Sequence, residues 1–234
     1  MRDLLRARGC IDCAKRSLET GTFGSNRAYV KMQRHKETCG DEHRYMRLGV
    51  VEFLAMNNPI RRWIQKHVEF GIFKKHLEKQ CIDLQGGVIM DAGCGSGYST
   101  VLLANEYHPS RLIAFDYMPE QIRLARKRKL NVEFAVGDLR KVQSDDATCD
   151  AVFIFGVIHH IVQWQEALCE VARVLKPGGV LLLDEPKYGF TWKELEFELR
   201  NVGLDILDTS SFFFKLFHTY LCQKLPNQSI EETV

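Results

Sequence analysis

"VIMDAGCGSGYST", residues 88–100, is the stretch on which the reading of this sequence turns. An apolar run meets an acid, Asp91, and then Gly93, Gly95 and Gly97 alternate with other residues before small polar ones follow. That is the pattern of a strand turning sharply into a helix. Glycines lose more conformational entropy on folding than other residues, so three together imply bare backbone brought against a ligand. A triphosphate loop needs Gly-x4-Gly-Lys-Ser/Thr, and no Lys follows these glycines. A dinucleotide loop reads Gly-x-Gly-x-x-Gly, with its third glycine one position later than Gly97. The spacing here is Asp91-x-Gly93-x-Gly95-x-Gly97.

Outward from that loop, strands and helices alternate. "GVIMDA" (87–92), "RLIAFD" (111–116), "NVEFAVG" (131–137), "CDAVFIFG" (149–156) and "GVLLLDE" (179–185) read as strands, with helices near 97–106, 119–129 and 163–175. This order predicts an α/β fold with a parallel sheet and helices on both faces. A further helix, "TWKELEFELRNVG", is closed by Gly203. Two more strands follow, "LDILDTSSFFF" and "LFHTYLCQKL", and their connection is too short for a parallel crossover, so an antiparallel pair is expected.

The Asp-x-Gly-x-Gly-x-Gly motif resembles the first motif of class I S-adenosylmethionine-dependent methyltransferases. The resemblance continues in order along the chain. Asp116, in "LIAFDYMPEQI", stands where that family has an acid binding both ribose hydroxyls. Asp138, in "AVGDLRKV", stands where it often has an acid facing the adenine amino group. "FGVIHHIVQWQEALCEVARVLKPGGVLLLDEP" is similar to the fourth strand, next helix and fifth strand of the small-molecule group that includes quinone- and sterol-methylating enzymes. The resemblance covers about residues 86–223. It implies a Rossmann-like, seven-stranded, mostly parallel sheet with an antiparallel last strand. The implied cofactor is S-adenosylmethionine, leaving as S-adenosylhomocysteine.

The resemblance sets the expected cofactor contacts. Gly93, Gly95 and Gly97 would face the methionyl end, with Asp91 acting on its ammonium. Asp116 would hold the ribose and Asp138 would face the adenine, with Leu139 and Phe155 as further cofactor contacts. Tyr117 and Met118 pack either on the adenine face or at the helix start. His159 and His160 follow the fourth strand, where the family places its substrate pocket. They are the candidate bases, His160 ahead of His159, against a purely structural role. Glu185 is expected at the crevice edge, solvated or capping. The Asn/Asp-Pro-Pro-Tyr/Phe signature of amino methylation is absent at "FIFGVI", which argues against DNA-adenine and glutamine methylation.

Four segments are expected: a basic Cys/His arm (1–45), a helical cap (46–85), the methyltransferase domain (86–224) and a tail (225–234). In the cap, Val50, Phe53 and Leu54 share a face, as do Ile64, Val68, Ile72 and Phe73, with "NNP" as the break. Its aromatics read first as core packing with a solvated basic face. The sharper reading is a lid over an apolar substrate, with peripheral membrane contact as an added option. In the arm, Cys10, Cys13, His35 and Cys39 read C-x2-C-x21-H-x3-C, with His43 spare. Those local spacings suit zinc, but a basic arm with incidental cysteines is favoured, and no metal is expected at the reaction site.

The 234 residues are 45% apolar and 26% charged with formal net charge +2, ordinary for a globular protein and giving no argument for nucleic acid. No apolar run approaches the roughly 20 residues of a membrane span. "MRDLLRARGC" lacks the apolar block of a secretory signal, and Asp3 and Asp12 weigh against an organelle transit peptide. The eight scattered cysteines suit free thiols in a reducing compartment, so a cytoplasmic protein is expected. The expected activity is methyl transfer to oxygen or carbon of a small or lipid-like molecule. Rival readings are an RNA or protein methyltransferase, a non-catalytic S-adenosylmethionine-binding module with a zinc arm, and a nicotinamide dehydrogenase. Oligomeric state is left open.

Overall fold

Continuous apolar runs make the middle strands bury both faces, and this fixes the layers of the molecule. The computed structural model describes residues 58–226. The cysteine-bearing arm, the helix expected around Val50 to Leu54 and most of the tail lie outside the described residues. The described chain opens with α1 (Pro59–Ile64), continues through a π-helical turn (Gln65–Glu69) and runs on as α2 (Phe70–Lys79). Then follow β1 (Val88–Ala92), α3 (Tyr98–Tyr107), β2 (Arg111–Asp116), α4 (Pro119–Arg126), β3 (Glu133–Val136) and β4 (Cys149–Phe155). After a 3-10 turn (Ile158–His160) come α5 (Trp164–Val174), β5 (Leu175–Pro186), α6 (Trp192–Asn201), β6 (Leu204–Phe212) and β7 (Phe217–Lys224).

The strands form one seven-stranded sheet in the order β3-β2-β1-β4-β5-β7-β6. β1, β2, β3, β4 and β5 pair in parallel, while β7 is antiparallel to both β5 and β6. The expected α/β class and the antiparallel last strand are therefore what the structure shows. Strand order reverses between β1 and β4, which opens a crevice beyond their carboxyl ends.

Alternate residues of the central strands feed two cores. Met90, Val152, Ile154, Leu181 and Leu183 pack with Leu168, Val171, Leu195 and Leu199 of α5 and α6. Ile89, Phe153, Phe155 and Leu182 pack on the other face with Phe70, Phe73 and Leu77 of α2 and Leu103 of α3. Each fully buried side chain of this size contributes about 1.5–3 kcal/mol. The capping box at Thr191 and Glu194 starts α6, as its Thr-x-x-Glu sequence dictates.

One expectation about helix faces needs correction. Ile64, Val68 and Ile72 are only half-buried, and the face that enters the core carries Glu69, Phe70, Phe73, His76 and Leu77. The π turn is the reason. Its wider turn breaks the 3.6-residue period, so the apolar face downstream is rotated from where an uninterrupted helix would set it. Buried His76 is partnered by Asp208 Oδ2 at 2.8 Å and Thr219 Oγ1 at 3.0 Å, which ties α2 to β6 and β7. Strand ends also moved: β5 starts at Leu175, before the Lys-Pro-Gly-Gly stretch, and β6 stops at Phe212.

Candidate active site

The crevice at the strand reversal is a cleft of about 1000 Å³, counting its open mouth. That is the scale of cofactor sites, roughly 300–1,000 Å³. Its floor is the glycine loop. Gly93, Gly95 and Gly97 all adopt positive φ, at 79°, 51° and 75°, but they serve different ends. A Cβ at Gly93 would lie 2.3 Å from Val157 Cγ2 on the opposite wall. One at Gly97 would lie 2.9 Å from Ala125 Cβ, so this glycine lets α4 close on the start of α3 and does not line the cleft. A Cβ at Gly95 would meet nothing within 4 Å and would stand in the cleft itself.

The loop is pinned to the end of β2. The Phe115 carbonyl accepts from Gly93 N–H at 2.8 Å and from Cys94 N–H at 2.9 Å. Asp116 Oδ2 accepts from Gly95 N–H at 2.9 Å and Oδ1 from Met118 N–H at 2.8 Å. Burial pushes the Asp116 carboxyl above its ordinary range, against those two backbone bonds. Tyr117 and Met118 line the cleft beside it.

Asp91 lies beneath the wall. Its Oδ2 accepts from Ser99 Oγ at 2.7 Å and Thr100 Oγ1 at 2.6 Å, while its buried Oδ1 has no hydrogen-bond partner among the described residues. Burial raises its pKa to about 6, opposed by the two hydroxyl bonds and assisted by nearby Asp116. Ser99 is both a partner of Asp91 and part of the cleft wall.

After β3 the neighbours of Asp138 line the cleft while its carboxylate is turned to Arg140. Gly137 and Leu139 are wall residues, whereas Asp138 Oδ2 pairs with Arg140 Nη2 at 2.8 Å. Phe155, Gly156 and Val157 form the wall after β4. His160 lines it too, and its ring lies 3.9 Å from that of His159. His159 is not in the wall. Its Nδ1 lies 2.7 Å from Glu185 Oε2.

Glu185 is fully buried, which removes the solvated reading and keeps the capping one. Its Oε1 accepts from Val157 N–H at 2.8 Å and Ile158 N–H at 2.7 Å, and Oε2 accepts from His159 N–H at 3.3 Å. The neighbouring Asp184 points to the other sheet face. Burial, with Glu69 and Glu185 adding repulsion, drives its carboxyl well above the ordinary range.

Sequence reasoning did not find the upper wall. Arg61, Arg62 and Gln65, from α1 and the π turn, reach the cleft, as do Tyr98 and Gln121. The guanidinium groups of Arg62 and Arg128 lie 5.8 and 5.7 Å from the Tyr98 ring centroid. Buried Arg62 Nε has no hydrogen-bond partner among the described residues. An Arg-Arg pair after a proline is common on solvated helices, so nothing in the sequence marks this one as facing a ligand. Among the described residues no cluster of three metal-ligating side chains occurs, and the arm cysteines lie outside them.

Comparison with known proteins agrees with this geometry. Residues 90–183 match the family described as methyltransferase domain. A probable S-adenosylmethionine-dependent methyltransferase of Mycolicibacterium smegmatis is 32% identical over 124 residues, 53% of this chain and 45% of the relative. A fatty-acid O-methyltransferase of the same organism is 29% identical over 178 residues, 75% of this chain and 65% of the relative. The chain thus spans less than two thirds of either protein. A solved S-adenosylmethionine-dependent methyltransferase from Aquifex aeolicus superposes with TM-score 0.65 at 18% identity, covering 76% of this chain and 100% of that one, which shows the fold. Sheet order, loop spacing and the matched residues converge: residues 90–183 form a methyltransferase domain, carried on the fold of the class I S-adenosylmethionine-dependent methyltransferases.

Proposed function

We propose that this chain transfers a methyl group from S-adenosylmethionine to oxygen or carbon of a small, lipid-like acceptor. The observation that carries the reading is the cleft at the strand reversal, where a bare Gly95, a half-buried acid at the end of β2 and an unpartnered Arg62 Nε converge. These groups fit the cofactor. Arg62 would hold its carboxylate, because a buried guanidinium N–H without a partner is costly and an anion relieves it. Asp91, with Oδ1 open, would favour the ammonium through the wall at Ser99. Asp116 would exchange backbone bonds for ribose hydroxyls.

When bound, the cofactor would supply a sulfonium methyl to a nucleophile attacking in line, the S–CH3 bond breaking as S-adenosylhomocysteine leaves. The protein's part is to hold the acceptor close and dry and to take its proton. His160, in the cleft wall with its ring 3.9 Å from that of His159, is the candidate to take that proton. The lipid-like acceptor is favoured by the apolar wall of Phe155, Val157 and Ile161 and by the likeness to a fatty-acid O-methyltransferase.

Calorimetric titration of the full chain tests the reading. Micromolar binding of S-adenosylmethionine and S-adenosylhomocysteine with none of NAD, followed by labelled methyl transfer to fatty acids or phenols, supports it. Silence from both sulfur ligands in a folded sample overturns it. Binding without turnover on any acceptor would instead favour a non-catalytic module.

A further inference from the structure

The turn between β6 and β7 runs against the usual preferences of soluble proteins. Phe213, Phe214 and Lys215 lie consecutively in the left-handed region, at φ 47°, 56° and 63°. Side chains with a Cβ are crowded there, and glycine or asparagine ordinarily fills such positions. Rings hold the turn in shape. Phe212 stacks on Phe217 at 5.1 Å, and Phe213 meets Phe217 edge-on at 6.1 Å. Leu216 N–H donates to the Phe213 carbonyl at 3.1 Å. The result is a tip with Phe214 wholly exposed, at 101%, and Leu216 exposed at 57%.

Two lysines lie on the segments that meet at the tip. Lys187 N–H donates to the Leu216 carbonyl at 2.7 Å, which brings the chain beyond β5 alongside, with Tyr188 exposed. The tip itself carries Lys215 and the segment bonded to it Lys187, with no carboxylate in residues 186–190 or 209–218. Exposed rings rimmed by lysines have the composition of an interfacial anchor on anionic lipid. Two tips facing each other would oppose like charges, which favours an anionic surface over self-association.

The tip is also near the cleft. β6 runs in the same direction as β5, so its carboxyl end and the tip lie at the end of the sheet that holds the glycine loop. The Tyr188 ring meets His159 edge-on at 6.3 Å, and the His159 ring lies 3.9 Å, tilted, from that of His160 in the cleft wall.

We infer that the β6–β7 tip, through Phe214 and Leu216 with Lys187 and Lys215 against headgroups, docks the protein on an anionic lipid surface and presents the cleft to acceptors held there. Docking itself stands without methyl transfer; the presentation of an acceptor rests on the lipid-like substrate proposed above.

The test is flotation of the full chain with phosphatidylglycerol–phosphatidylcholine vesicles and with phosphatidylcholine alone, with S-adenosylmethionine titrated into the same preparations. The wild-type chain should float with anionic vesicles and detach as salt rises. Phe214→Ser/Leu216→Ser, which leaves the three-ring cluster in place, should lower bound protein about tenfold at equal lipid with unchanged cofactor affinity. A wild-type chain that stays with the sedimenting fraction overturns the inference, as does a variant that floats equally well. So does a wild-type dimer that this variant makes monomeric, since the tip would then be a contact between copies. Flotation without cofactor binding would overturn methyl transfer and leave the anchor standing.

Discussion

His159 Nδ1 lies 2.7 Å from Oε2 of a Glu185 carboxylate that no solvent reaches. That carboxylate already accepts from the backbone N–H groups of residues 157, 158 and 159. An acceptor surrounded by donors leaves the ring nitrogen only one role, to donate. In the neutral ring, Nε2 then carries the lone pair, and the imidazole plane is fixed against His160.

Replacing Glu185 with Gln should loosen that ring without emptying the cofactor site. The expected result is lower kcat with little change in S-adenosylmethionine affinity, together with some loss of thermal stability from weakened backbone caps. His160→Ala should lower turnover by on the order of 10²-fold or more if it takes the acceptor's proton. Steady-state kinetics beside calorimetry separates the two. A His160→Ala protein with full turnover would return the pair to a structural role.

Asp116→Ala removes the acceptor of Gly95 N–H and Met118 N–H together with the expected ribose partner. Cofactor affinity should fall by about 1–3 kcal/mol. Calorimetry on a variant shown folded by circular dichroism checks it; unchanged affinity would remove Asp116 from the ribose site.

Asp91 predicts a pH dependence of defined sign. Burial raises its pKa to about 6, against about 3.9 for an unfolded chain. The folded protein therefore binds this proton more tightly. Its stabilising effect is complete below about pH 4 and is lost as pH rises towards 6. Binding of the cofactor ammonium favours the ionised form, so affinity should fall as pH drops below about 6. Titrations near pH 5.5 in buffers of differing ionisation enthalpy should show proton release, absent in Asp91→Asn.

Two glycine substitutions should separate fold from binding. Gly93→Ala places a methyl 2.3 Å from Val157, and overpacking with a left-handed φ should cost about 2–4 kcal/mol in urea denaturation. Gly95→Ala meets no protein atom within 4 Å, so it should cost about 1–2 kcal/mol of backbone strain. Its larger effect should be on cofactor affinity.

Local chemistry wrote much of this protein into its sequence. Short apolar runs and the Asp-x-Gly-x-Gly-x-Gly turn determined the strands, their order of appearance and the loop beneath the cleft, because those signals depend on neighbours in the chain. The short link after Phe212 determined the antiparallel final strand for the same reason. Tertiary structure decided what depends on partners far away in sequence. Only folding brings Arg62 beside Tyr98 and Arg128, buries Glu185 under the 157–159 turn, and leaves Phe214 in solvent. It also decided that the helix before β1 turns its face through a π turn, since that shift follows from packing on the sheet. An arginine or a carboxylate carries no mark in the sequence of whether it will meet water, backbone or ligand. Burial and the groups brought within 3–4 Å decide that, and they exist only once the chain is folded.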